Sequence, residues 1–169
     1  MKEINIRRSV RKFKDKKVEE EKIIKVLRAA MQAPSARNQQ PWEFIVIEDK
    51  ERILKLTSFT PNYKFAEKAP LLILVLAKQT DLLSEDFVQQ DLGACIQNLM
   101  LGAVSEGLGS TWMGLYPKED RVDFFSDALN IDKTKVLPFA LIGVGYPKEE
   151  GLNKFTDRFD ESRIHREVY

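Results

Sequence analysis

The apolar residues of this chain change their spacing several times, and each change marks an element. Over residues 18–32, "VEEEKIIKVLRAAMQ" puts Val18, Ile23, Val26, Leu27, Ala30 and Met31 on one side of a helix, with charge elsewhere. The acidic run from Glu19 to Glu21 suits a helix N-terminus, and Pro34 stops the helix. "APSARNQQPW" at 33–42 is then a polar loop restrained by two prolines, and "EFIVIE" at 43–48 has the apolar centre of a strand. Residues 49–56, "DKERILKL", predict a short helix with Asp49 as its cap. An irregular connection at 57–70 leads to a second strand at 71–77.

The stretch 86–107, "DFVQQDLGACIQNLMLGAVSEG", behaves differently. It has so little polar face that the helix it predicts must be enclosed by protein, and part of that enclosure is expected from a second copy of the chain. "GLGSTWMGLYP" at 107–117 reads as a glycine-rich strand or loop, 118–129 as a further helix, and "VLPFALIGVGYP" at 136–147 as a third strong strand. The final segment, 153–169, is polar with spaced aromatics, as expected of an arm lying on a surface. No repeat, low-complexity tract or linker breaks the pattern, so residues 1–169 are expected to form one domain.

Composition narrows the function. Lys and Arg number 27 against 26 Asp and Glu, and the net charge of +1 gives no overall drive toward nucleic acid or anionic membranes. Positive charge is instead local: residues 1–17 hold eight cations against Glu3 and Asp15. The single cysteine, Cys95, excludes an internal disulfide and a multi-cysteine zinc site, and suits a reducing cytoplasm. The longest apolar run, 69–77, is about half what a membrane-spanning helix needs, and no signal peptide precedes the basic segment. A soluble, cytoplasmic protein without a metal site is expected. The only histidine, His165, lies among charges near the C-terminus, which leaves a hydrolytic triad without a well-placed base.

The basic cluster sits in "INIRRSVRKF" at 4–13. Ile4, Ile6, Val10 and Phe13 alternate with the cations and would anchor the segment to a core, which a solvated or nucleic-acid-binding arm would not need. The planar fork of arginine matches a phosphate, and Ser9 adds a short neutral donor. A dinucleotide fingerprint is absent: Gly143 and Gly145 follow a strand, but Tyr146 and Pro147 stand where a helix should open. "GLGSTWMG" lacks the Lys-Ser/Thr ending of a P-loop. Cys95 and Trp42 read as core residues, and the charges of 14–28 as a solvated face with pairs such as Glu21 and Lys25. In the 33–42 loop, Ser35, Asn38, Gln39 and Gln40 offer donors and acceptors able to read a heterocycle edge while the arginines hold its phosphate. The two elements together suggest a mononucleotide or flavin site.

Taken in order, the motifs resemble the FMN-dependent nitroreductase family over nearly the whole chain. "RRSVRKF" looks like the family's opening Arg-x-Ser-x-Arg/Lys-x-Phe signature, and "PSARNQQPWEF" like its Pro-Ser-x-x-Asn-x-Gln-Pro-Trp-x-Phe loop. "DLGACIQNLMLGAVSEGLGSTWMG" and "FALIGVGYP" are similar to its central helix, flavin-side glycine loop and closing strand. The resemblance implies an α+β sandwich, a mostly antiparallel sheet flanked by helices, and a homodimer with a long buried central helix and two FMN sites at the subunit interface. By that likeness Arg7 and Ser9 would bind the FMN phosphate, assisted by Arg8 and Arg158. Arg11 would sit nearer the ring, where its charge favours the anionic reduced form. Pro34, Ser35 and Asn38 would approach from the partner, and backbone at Gly114 and Leu115 would face the ring near N5.

The implied reaction is ping-pong: NADH or NADPH passes hydride to flavin N5, and a nitroaromatic, quinone or similar electron-poor acceptor then occupies the same face. FMN carries the chemistry, so no side chain is assigned a catalytic role. The alternative is a flavin-binding storage or sensor protein with little turnover. Relatives that deiodinate tyrosines, oxidise azolines or break down flavin share the architecture. Ala36 stands where many relatives carry Ser or Gly, and the short connections at 57–70 and 115–125 leave little room for a covering helix, so an open pocket is expected. Lys64 and Lys68 each match a further cation near the ring, and the spacing does not choose between them.

Overall fold

The computed structural model describes residues 1–149 and 155–169. The first two residues of the expected C-terminal arm, Asn153 and Lys154, therefore lie outside the described residues. The described residues form five α-helices: α1 (Lys2–Ile6), α2 (Glu20–Met31), α3 (Lys50–Thr57), α4 (Val88–Ser105) and α5 (Glu119–Leu129). Four strands, β1 (Trp42–Ile47), β2 (Leu71–Lys78), β3 (Gly109–Gly114) and β4 (Val136–Gly145), form one sheet in the order β1-β2-β4-β3. Every pairing within it is antiparallel. The glycine-rich stretch after α4 is thus a fourth strand, on the edge of the sheet.

β2 is buried along almost its whole length, so the sheet is covered on both faces. Leu71, Ile73 and Val75 point into a core completed by α2 and α4, through Ile23, Val26, Leu92, Cys95, Ile96 and Leu99. Leu72, Leu74 and Leu76 point the other way, into a core shared with Ile53, Leu56, Tyr63 and Phe125 from α3, the 3-10 segment Pro61–Lys68, and α5. The result is an α+β sandwich of three layers. Asp49 caps α3 by accepting the Arg52 N–H at 2.9 Å, and Glu21 pairs with Lys25 at 3.0 Å. Trp42 and Cys95 are core residues.

One expectation changes. Met31 is 46% exposed, because the buried stripe of α2 runs through Ile23, Val26 and Ala30 and has turned away by the last residue. Much of the enclosure of α4 comes from its own chain. α2 lies so close that a Cβ on Gly102 would stand 2.7 Å from that of Ala29, and the sheet covers the opposite side. What remains partly open is a narrow stripe through Gln90, Gly93, Ala94, Gln97 and Leu101.

The N-terminal segment is anchored by two of the four apolar residues expected to hold it; Ile6 is half-buried and Ile4 is exposed. Val10 and Phe13 are buried, and Gly109 lets the arm press onto β3: a Cβ there would lie 2.6 Å from Val10 Cγ2. Ser9 forms a parallel bridge with Ser110, and Phe13 an antiparallel one with Pro147.

Candidate functional site

The edge of β3 is where the basic arm meets the sheet. Leu115 N–H donates to Phe139 O at 3.1 Å on the β4 side, while Val10 N–H reaches Ser110 O at 2.9 Å from the opposite side. Antiparallel alternation therefore commits residues 109, 111, 113 and 115 to the ladder with β4. It turns the backbone groups of Ser110, Trp112 and Gly114 outward. The arm covers Ser110 only. Trp112 and Gly114 are exposed, and a Cβ added to Gly114 would touch nothing within 4 Å. Leu115 has its side chain fully buried and its N–H in the ladder, so Gly114 is the one of this pair that presents backbone to the edge.

At the start of the arm the structure gathers three guanidinium groups. The Arg7 pKa is lowered by burial and by the repulsion of Arg8 and of Arg158. Among the described residues none of the three has a carboxylate partner within ion-pair distance. Arg8 Nη1 donates to Arg7 O at 2.5 Å, but Arg8 Nη2 is buried without any partner. A buried, unpaired guanidinium nitrogen inside a cationic cluster is costly unless an anion meets it. Ser9, exposed at the head of the arm, adds its hydroxyl. Ser9 bridges Ser110 at one end of this edge and Gly114 is bare at the other, so the cationic arm and the open backbone lie along one strand. The residues present thus fit a flavin mononucleotide.

Arg11 lies further along the arm, exposed, with its guanidinium carbon 5.7 Å from the centre of the Phe65 ring. It opens onto a cleft of about 490 Å³ shared with Lys12, Lys64, Lys68 and Lys148. Lys64 and Lys68 thus both stand beside Arg11. A separate cleft of about 820 Å³ lies between the Phe13–Lys17 side of the arm and Lys50, Ile53 and Pro70, and is lined by neither Arg7 nor Gly114.

The 33–42 loop is built under strain. Arg37, Asn38 and Gln40 have φ of 50°, 54° and 45°, in the left-handed region, where residues other than glycine are held only by their surroundings. The holding group is Asp91, 6% exposed in the first turn of α4. It accepts from Ala36 N–H at 3.0 Å and from Gln39 Nε2 at 2.7 Å. Gln39 also accepts from Ser84 N–H at 2.9 Å and donates to Ser84 O at 3.0 Å. Its amide is therefore an anchor, which corrects the expectation that Gln39 reads a heterocycle. Ser35 Oγ accepts the Gln40 N–H at 3.0 Å, and Asn38 Oδ1 accepts from Gln40 Nε2 at 3.1 Å. Pro34 and Asn38 are exposed and Ser35 is half-buried.

Sequence reasoning missed Asp91 altogether, although a lone carboxylate in an apolar helix is itself a signal. It also missed Tyr63 and Arg121, which converge on Gly114: Tyr63 Oη donates to Gly114 O at 2.9 Å and Arg121 Nη1 to the same oxygen at 2.6 Å. Among the described residues no group of three or more His, Cys, Asp or Glu side chains is placed to hold a metal, and no helix is long and apolar enough to cross a membrane.

Fold and site together define an α+β protein with a cationic N-terminal arm laid on an open sheet edge. The sequence profile of the Nitroreductase family matches residues 4–60 and 56–146. A protein of Methanothermobacter thermautotrophicus, provisionally named NADH dehydrogenase/NAD(P)H nitroreductase, is 40% identical over 98% of this chain and 85% of its own length. The crystal structure of a protein provisionally named NADH oxidase from Clostridium acetobutylicum matches with a TM-score of 0.94 and 49% identity, covering 99% of each chain. A Desulfovibrio desulfuricans protein provisionally named a nitroreductase, solved in complex with FMN, matches with a TM-score of 0.83 and 28% identity over 99% of this chain and 95% of that one. The chain belongs to the nitroreductase family.

Proposed function

We propose that the protein is a homodimeric, FMN-dependent enzyme that oxidises NADH or NADPH and reduces nitroaromatics, quinones or similar electron-poor acceptors. The observation that carries the reading is the cluster of Arg7, Arg8 and Arg158, which among the described residues has no carboxylate partner and leaves one buried nitrogen unpaired, on the arm beside a strand edge open at Gly114. FMN and NAD(P)H chemistry is supported by the FMN-bound relative and by the NAD(P)H names of others. When bound, FMN supplies a ring that takes hydride from the nicotinamide and hands it to the acceptor.

The chain's own residues then have separable tasks. Arg7, Arg8, Ser9 and Arg158 bind the phosphate through charge-assisted hydrogen bonds. Gly114, bare of a side chain, admits the ring to the strand edge and offers its outward N–H. Arg11 places a positive charge where electron density rises on reduction. Pro34, Ser35 and Asn38 project from a rigid loop and serve the site of the other subunit. A second copy would also cover apolar surface left open on the single chain, including Trp112, Phe87, Phe155 and Phe159. The connection at 57–70 holds only the 3-10 segment Pro61–Lys68, which leaves the acceptor face open and suits varied acceptors. A reducing compartment such as the cytoplasm suits the single buried thiol, Cys95.

The test combines light scattering with steady-state oxidation of NADH and NADPH, using menadione or nitrofurazone as acceptor. A flavin-containing dimer that turns over supports the reading. A stable monomer refutes the shared site, and a flavin-loaded dimer that oxidises neither nucleotide refutes the enzyme.

A further inference from the structure

Gly114 is the point at which β3 leaves the sheet, and its carbonyl points to the same open edge as its N–H. Left alone, that oxygen would turn the negative end of a peptide dipole toward whatever lies against the edge. The structure does not leave it alone. Tyr63, buried beneath it, donates its hydroxyl to Gly114 O at 2.9 Å. Arg121, half-buried in the first turns of α5, donates to the same oxygen at 2.6 Å and to Tyr63 Oη at 3.1 Å. The guanidinium carbon also lies 5.8 Å from the centre of the Tyr63 ring. Among the described residues Arg121 has no carboxylate partner within ion-pair distance. A half-buried cation and a hydroxyl, from two different elements, thus donate to a single backbone carbonyl.

We infer that Arg121, supported by Tyr63, is a positioning residue that makes the Gly114 edge electropositive and thereby raises the reduction potential of a flavin bound against it. The inference rests on the proposed function, which puts the ring at Gly114. Reduction adds two electrons to the ring system, and an uncapped carbonyl oxygen at that edge opposes the added charge. Capping it with a guanidinium removes the opposition and adds a positive charge in a partly water-excluded setting, where charge interactions are stronger than in bulk water. Oxidised flavin, uncharged in its ring, feels the change far less. The clamp therefore acts on the difference between the two redox states, and Arg121 acts through the carbonyl rather than by touching the reacting atoms.

The experiment equilibrates the flavin-loaded protein with a two-electron dye of matched potential under argon, in wild type, Arg121→Gln, Arg121→Lys and Tyr63→Phe. Electrons pass between dye and flavin, so the oxidised-to-reduced flavin ratio at a fixed dye ratio reads the potential directly. Arg121→Gln is expected to raise that ratio at least about threefold, roughly the worth of one net hydrogen bond, with affinity for oxidised FMN changed less than twofold. Arg121→Lys should restore most of the wild-type ratio, and Tyr63→Phe should shift it in the same direction by less. A purely structural role predicts lowered thermal stability with the ratio unmoved, and that result overturns the inference. Should Arg121→Gln fail to fold, Tyr63→Phe decides: an unchanged ratio there overturns it. A wild-type protein that binds no FMN refutes the site reading itself, a result distinct from bound flavin whose potential ignores Arg121.

Discussion

Replacing Asp91 by Asn tests the loop that carries Pro34, Ser35 and Asn38. The carboxylate receives two donors, Ala36 N–H at 3.0 Å and Gln39 Nε2 at 2.7 Å, and is 6% exposed. Asn has nearly the same shape but one acceptor oxygen, and its amide NH2 would face one of these donors. One of the two bonds must then be lost and a buried donor left unpaired, which costs about 1.5–3 kcal/mol for a hydrogen bond to a charged group. For a domain of this size that lowers Tm by about 3–12 °C. Three left-handed residues, Arg37, Asn38 and Gln40, are held in place by this anchor, so the loss should concentrate there. Amide exchange at Ala36, Asn38 and Gln40 should accelerate before that of the sheet, and thermal unfolding should give the total. A variant with wild-type Tm and wild-type exchange in the loop would show that Asp91 does not hold it.

Three further outcomes follow from single sites. Arg7→Ala should weaken FMN binding at least about tenfold by removing a charge-assisted phosphate contact; unchanged affinity in a fluorescence titration would take Arg7 out of the phosphate site. Burial pushes the Cys95 thiol up to about 12, so a thiol reagent at pH 8 should modify it only on unfolding, and rapid labelling of the native protein would refute its place in the core. Glu19 is lowered from 4.5 to about 2, first by the Tyr146 hydroxyl, which it accepts at 2.5 Å, and also by Lys16. Because the folded value is the depressed one, the stabilisation is present above pH 4.5 and is lost as pH falls from there toward 2. Denaturant midpoints should consequently fall more steeply over that range in wild type than in Tyr146→Phe, and parallel curves would contradict the linkage.

The parts of the site legible in the sequence were those whose chemistry is local. Arg7, Arg8 and Ser9 are consecutive, and the apolar residues between the cations already said that the arm is anchored, as Val10 and Phe13 are. Arg158 could be attached to them only by family likeness, since 150 positions separate it from Arg8. The strands and helices were legible for the same reason of short period, and β3 was ambiguous because its two glycines, Gly109 and Gly114, weaken the alternation that marks a strand. Gln39 and Asp91 meet across 52 positions, Tyr63 and Gly114 across 51, and no spacing rule connects them. The apolar character of α4 foretold enclosure but could not say by what, and α2 turned out to supply a large share.

The central claim is that a flavin lies on the β3 edge and takes hydride from a nicotinamide. The most direct measurement is the visible absorbance spectrum of the purified protein under argon, before and after addition of NADH or NADPH. Bound-flavin bands that bleach on addition are the predicted result. A protein that is colourless and stays so after incubation with FMN would contradict the account and leave the cluster of Arg7, Arg8 and Arg158 to some other anion.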